Sequence, residues 1–188
     1  LFDALGKECS VALAVGRNNY LCLRRLAELV RDHELYAYDG VSDVSKLNSF
    51  AAQSETGLRT EYQGRLDFQL WTSVCSDSDF CMGGKCPYFN ECYYFKAKRK
   101  LSDASIIICN HHLLFVDSNT RYENSIDYDD DAVLPPFHHL VIDEAHNVER
   151  HATDLFTTTY SSYSLRRHME YIYDGRGLRG NGTGRILD

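Results

Sequence analysis

The chain has 188 residues, with 20 Lys and Arg against 27 Asp and Glu and a formal net charge of −7. That length allows one domain, or one and a half, with a real core, and the acidity argues against nucleic-acid binding by the averaged surface. No apolar run reaches the roughly eighteen residues of a membrane span and the first residues show no signal-peptide pattern, so a cytoplasmic protein is expected. Seven cysteines is an odd count, which in that setting favours reduced or metal-bound thiols over disulfides.

In chain order, residues 1–5 read as the end of a helix. Residues 10–15 (SVALAV), closed by Gly16, read as a buried strand. Gly16-Arg17-Asn18-Asn19 is a turn, and residues 20–30 carry Leu21, Leu23, Leu26, Leu29 and Val30 at helical spacing. Residues 31–45 are polar and irregular. Residues 46–52 and 65–71 are expected as short helices, joined by a loop with Gly57 and Gly64. Residues 91–101 are expected to be helical, with Lys96, Lys98, Arg99 and Lys100 as a basic run.

Residues 106–109 (IIIC) form an unbroken apolar run, expected as a strand covered on both faces. Residues 110–115 (NHHLLF) read as an extended segment leading into an acidic loop at 117–131. On an extended segment His111 and His112 would point to opposite sides, so they would not share an ion. Residues 138–142 (HHLVI) read as another buried strand, ending in Asp143-Glu144-Ala145-His146. Helices are expected at 147–156 and 160–173, with a flexible run at 175–184. There is no internal repeat.

The densest chemistry lies at 80–95 (FCMGGKCPYFNECYYF), where Cys81, Cys86 and Cys92 crowd one loop. Thiols gathered this way most often hold a metal, whereas core cysteines are usually scattered singly. Gly83 and Gly84 allow a tight reversal between the first two. A fourth ligand has to come from elsewhere in the chain. Cys9 and Cys109 lie in or beside apolar strands and are expected in the core.

Four motifs then stand in a specific order: G-R-N-N-Y-L-C at 16–22, the cysteine triplet at 81–92, N-H-H-L-L-F at 110–115 and V-I-D-E-A-H at 141–146. Together they resemble the DinG/XPD family of iron–sulfur superfamily 2 DNA helicases, nearest its bacterial DinG-like branch, over about residues 1–160. The resemblance implies an α/β fragment: a mostly helical [4Fe–4S] domain inserted into part of a RecA-like parallel-sheet motor. The implied boundaries are 1–16 for a motor strand and turn, 17–104 for the cluster domain, 105–150 for motor strands with the DEAH box, and 151–188 for the start of an arch-like insertion and a flexible tail.

Carried onto this sequence, the resemblance makes Cys22, Cys81, Cys86 and Cys92 the cluster ligands, the four thiolates such a cluster takes. Cys75 is a rival for one place; Cys81 is preferred for its family spacing and for the turn joining it to Cys86. Asp143 would hold Mg²⁺ through water, Glu144 would activate the attacking water, and His146 would couple nucleotide state to DNA. The plainer reading makes Asp143 and Glu144 helix-capping carboxylates.

Single-stranded or forked DNA is the implied partner of a monomeric protein. Arg17, Tyr20, Arg24, Lys98 and Arg99 are weak candidates for contacts, with Arg25, Lys96, Lys100, Tyr93 and Tyr94 behind them. Relatives usually carry Lys where Val15 stands, so one phosphate contact is lost or moved. No G-x-x-x-x-G-K-[ST] occurs. ATP and Mg²⁺ are therefore expected only in a full-length parent, an ATP-dependent 5′-to-3′ helicase of repair or replication, and this piece alone should not hydrolyse ATP. Two other classes compete: a zinc-stabilised, non-catalytic nucleic-acid-binding module, and a redox-sensing iron–sulfur regulator.

Overall fold

The computed structural model describes residues 9–36 and 41–157. The sequence readings at 1–5, 160–173 and 175–184 lie outside the described residues. Two compact units divide the chain, Leu1–Ala145 and His146–Asp188. About half of the described residues are helical, and the sheet they form is small and parallel.

Strand β1 (Val11–Leu13) pairs in parallel with β2 (Ile106–Ile108), Val11 lying opposite Ile106 and Leu13 opposite Ile108. A parallel pair cannot be joined by a hairpin and needs a crossover. Here the crossover is the whole of residues 14–105, so the cysteine loop lies between two strands of one sheet. Both strands fall where the apolar runs predicted them. Their expected burial does not hold: Val11, Leu13 and Ile108 are exposed. Among the described residues the sheet has only these two strands, and a strand of a parallel sheet is covered only when neighbours and helices surround it.

Within the crossover come α1 (Leu23–Tyr36), α2 (Val41–Gln53), α3 (Phe68–Val74) and α4 (Tyr93–Ser102). Helix α1 begins later than its apolar spacing suggests, because Tyr20 and Leu21 are held extended in antiparallel bridges with Leu58 and Cys75. It then continues through residues 31–36, and α2 takes up residues 41–45, where irregular chain was expected. Asp67 sets the start of α3 by accepting from the backbone N–H groups of Gln69 and Leu70.

Two separate cores result. One gathers Tyr20, Leu21, Leu26, Leu47, Trp71, Val74, Cys75 and Tyr93. The other, beside the sheet, gathers Ala14, Leu101, Leu113, Leu114 and Leu134.

Residues 111–124 form α5 (His111–Asn124), which corrects the extended reading of this segment. Asn110 Oδ1 accepts from Leu113 N at 2.8 Å and caps the helix, a device that the apolar pattern of the following residues does not reveal. The acidic loop therefore begins only after Ser125. It is gathered by Arg121, 3% exposed, which donates to Asp117 Oδ2 and to the carbonyls of Asp127, Asp130 and Leu134.

The buried strand expected at 138–142 is absent. Leu140, Val141 and Ile142 are exposed, Val141 at 94%. Ladder hydrogen bonds and covered faces, rather than apolar content, hold a chain in a strand, and this segment pairs with neither β1 nor β2. In the second unit, α6 (Val148–Phe156) follows the 3₁₀ turn Ala145–Asn147, matching the helix expected there.

Candidate metal centre

Cys22 is fixed by a backbone lattice. Gly16–Tyr20 closes as a 3₁₀ turn, with Asn19 N donating to Gly16 O at 2.9 Å and Tyr20 N to Arg17 O at 3.1 Å. The sole Trp of the chain secures that turn, its indole N–H donating to Asn18 O at 2.9 Å. Leu21 N then donates to Gly57 O and Cys22 N to Val74 O, both at 2.8 Å. Cys22 leaves this lattice immediately before α1.

The other three thiols are presented by successive turns. Cys81 N donates to Ser78 O at 3.2 Å, Cys86 N to Gly83 O at 3.0 Å, and Cys92 N to Phe89 O at 3.4 Å. Gly83, at φ +54, supplies the left-handed residue between Cys81 and Cys86 that glycine adopts freely, and its N–H donates to Cys81 Sγ at 3.3 Å. Cys92 sits at the N-terminus of α4.

These segments bring Cys22, Cys81, Cys86 and Cys92 to the wall of one cavity. Phe80, Met82, Phe89 and Phe95 line it with them. Cys75 does not. It is 5% exposed, part of the core beneath Trp71, with its thiol turned toward Thr72 O at 3.7 Å. Cys9 and Cys109 lie half-buried beside the two strands.

Burial pushes the Cys92 thiol above its ordinary value, opposed by the first-turn N–H groups of Phe95 and Tyr94 and reinforced by the nearby Cys22 and Cys81. Burial likewise raises Tyr94, while Arg17 lowers it and Cys81 and Cys92 raise it.

Among the described residues, no three Cys, His, Asp or Glu side chains converge closely enough to bind a single metal ion. Thiolates on one zinc lie about 3.8 Å apart, as Zn–S bonds of about 2.3 Å in a tetrahedron require. A four-iron cubane takes its four cysteines at four different irons, spreading the sulfurs round a larger body. Four thiols line one apolar-walled cavity, the number of thiolates that a four-iron cubane takes.

The expected nucleic-acid residues are placed differently. Tyr20 is 3% exposed and packs edge-on against Tyr94, so stacking on a base would require it to leave the core. Arg17 lies over the Tyr94 ring at 4.4 Å and donates to Ser76 Oγ. Arg24 pairs with Glu28 and donates to Phe80 O; Lys98 Nζ donates to Ala132 O. Arg99, Lys96 and Lys100 are exposed on α4.

In the DEAH segment, Asp143 and Glu144 are exposed. His111 Nε2 lies 3.0 Å from Asp143 O, tying the NHH motif to this segment. Asp143 Oδ1 accepts from Glu144 N at 2.9 Å, and Glu144 adopts φ +49. His146, in the second unit, is exposed within the turn Ala145–Asn147.

The DEAD_2 domain, the region shared by DinG/XPD-type iron–sulfur helicases, matches residues 59–165, more than half of the chain. The chain belongs to the DEAD_2 family. It is 32% identical over 157 residues to the ATP-dependent DNA helicase YoaA of Escherichia coli strain K12, covering 83% of this chain and 24% of that protein. It is 29% identical over 163 residues to YoaA of Haemophilus influenzae, covering 86% and 25%. Identity to the ATP-dependent helicase DinG of Mycobacterium tuberculosis strain H37Rv is 29% over 179 residues, covering 88% and 26%. This DEAD_2 chain thus spans about a quarter of the length of the curated relatives it matches. Among its described residues no helix is long and apolar enough to cross a membrane.

Two contributors to the site were not singled out by sequence reasoning. By sequence Gly57 is only a loop residue and Arg25 only a candidate DNA contact; neither spacing nor composition marks a residue whose partners are distant backbone atoms.

Proposed function

We propose that this chain is the cluster-bearing part of an ATP-dependent DNA helicase, and that Cys22, Cys81, Cys86 and Cys92 hold a [4Fe–4S] cluster. The carrying observation is the single cavity walled by these four thiols in a DEAD_2 chain. The division proposed with it is a cluster domain at 17–104, motor elements at 1–16 and 105–150, and an insertion and tail beginning at 151–188; the core formed by Tyr20, Leu21, Leu26, Leu47, Trp71, Val74, Cys75 and Tyr93 supports the first of these. When bound, the cluster staples Cys22 to a loop far along the chain and can store an electron.

In the parent helicase Asp143 would help to hold Mg²⁺, Glu144 would orient and deprotonate the attacking water, and His146 would link nucleotide state to DNA. ATP and Mg²⁺ belong to that longer protein, because this chain has no phosphate-cradling loop of its own. The cluster domain engages single-stranded DNA at a fork during 5′-to-3′ unwinding, by a monomer in the cytoplasm. The exposed Lys96, Arg99 and Lys100 supply phosphate contacts more readily than Tyr20, Arg24 or Lys98, whose polar groups are turned inward.

The test is the metal and acid-labile sulfide content of anaerobically purified protein. About four irons and four sulfides per chain are expected for a cubane on four cysteines. One zinc without sulfide overturns this reading in favour of a zinc-stabilised binding module.

A further inference from the structure

Two adjacent arginines follow Leu23 in the first turn of α1, and both reach across to the length of chain that leads to Cys81. Arg24 Nη2 donates to Phe80 O at 2.7 Å, its other terminal nitrogen pairing with Glu28. Arg25 spans two carbonyls, donating through Nη1 to Cys75 O at 2.7 Å and through Nη2 to Thr72 O at 3.0 Å. Its guanidinium also lies 4.9 Å from the Phe80 ring centroid. Both arginines line the cysteine cavity.

We propose that Arg24 and Arg25 are positioning residues for the cluster: a latch that holds the 72–80 segment against α1, and so sets Cys81 opposite Cys22. This rests on the iron–sulfur reading of the cavity. Of the four thiols, Cys81 is the most exposed and sits on a glycine-rich turn, so the arm delivering it is where loose chain would let a ligand swing away. Arg25 suits the task because a planar fork can bridge two carbonyls, whereas an ammonium offers one compact charge. The latch has a second consequence. A cluster on four thiolates is anionic, and two guanidinium charges at its wall favour the reduced, more negative state.

Geometry and charge can be separated by substitution in this chain, purified with its cluster. Arg25→Lys keeps the charge and loses the two-carbonyl bridge. It is expected to release iron to a chelator roughly tenfold faster or more, as loss of outer-shell support typically costs, with little change in reduction potential. Arg25→Gln and Arg24→Gln lose charge as well, and the potential is expected to shift negative in both. Thermal melts followed by far-ultraviolet circular dichroism separate latch loss from global unfolding, and Arg24→Lys, which retains a donor for Phe80 O, is expected to stay near wild type.

Wild-type protein containing iron and sulfide, with all four variants matching it in release rate and potential, overturns the latch and leaves the cluster reading standing. Wild-type protein without iron and sulfide overturns both.

Discussion

The Nε2 atom of His111 lies 3.0 Å from the main-chain oxygen of Asp143. A carbonyl can only accept, so this nitrogen carries the proton. His111 is the first residue of the Asn110-capped helix α5, whose apolar face packs Leu113 and Leu114 into the core beside the sheet. The bond therefore anchors an otherwise exposed acidic segment to the rigid part of its unit.

His111→Ala is expected to speed amide hydrogen exchange at Glu144 and Ala145 while costing only about 1 kcal/mol in global stability, the usual worth of one hydrogen bond. His112→Ala, at an exposed position, serves as the control. Unchanged exchange in His111→Ala would mean that the segment is held by its own turn alone.

The two cysteines nearest each other in the ligand question should behave oppositely. Cys81→Ser is expected to lose the cluster with little change in fold, because its thiol is exposed on a loop and faces the cavity. Cys75→Ser should keep iron but lower stability by about 1–2 kcal/mol, since a hydroxyl replaces a thiol in an apolar core. Iron analysis beside a denaturant melt reads both. Iron loss in Cys75→Ser with retention in Cys81→Ser would reverse the ligand assignment.

Gly57 sits between the neighbours of two ligand cysteines. Its carbonyl accepts from Leu21 N, and the Tyr93 ring packs over its α-carbon so closely that an added Cβ would lie 2.2 Å from a ring atom. Its φ of +65 adds a backbone cost for any other residue. The ring has little room to retreat, because Tyr93 donates its hydroxyl to Ala51 O at 2.6 Å. Gly57→Ala is expected to destabilise by about 2 kcal/mol or more, whereas Gly84→Ala, with open space around it, should stay within about 0.5 kcal/mol. Equal melts for the two would remove Gly57 from the frame of the site.

Alkaline conditions should separate the apo-protein from a Cys92→Ser variant. The Cys92 thiol is raised above its ordinary value of 9.0 chiefly by burial. Below that value the thiol is protonated in folded and unfolded chains alike, and its contribution is fully present. As pH rises through the ordinary value the unfolded chain loses its proton first, so stability falls until the folded thiol ionises too. Cluster binding requires the thiolate, so assembly should also quicken as pH rises in this range. Denaturation curves across pH 7–10 are expected to fall more steeply for wild-type apo-protein than for Cys92→Ser; parallel curves would show that burial does not perturb this thiol.

Local chemistry was legible in the sequence wherever a few neighbouring residues decide the outcome. The apolar runs at 10–15 and 106–109 place β1 and β2, the spacing at 91–101 places α4, and the order of motifs indicates the family. That Cys81, Cys86 and Cys92 would share a loop follows from their spacing alone. Sequence misjudged the segments whose state depends on distant partners. Tyr20 and Leu21 carry helical spacing but are held extended by Leu58 and Cys75. Residues 138–142 have the composition of a buried strand but pair with neither strand of the described sheet. The family resemblance implies that Cys22 joins the loop at 81–92, but only tertiary structure could turn the Cys75 thiol into the core and direct Arg24 and Arg25 at carbonyls rather than outward. Those outcomes rest on backbone donors and acceptors, which every residue carries alike, and no pattern of side chains along the chain records which of them will meet.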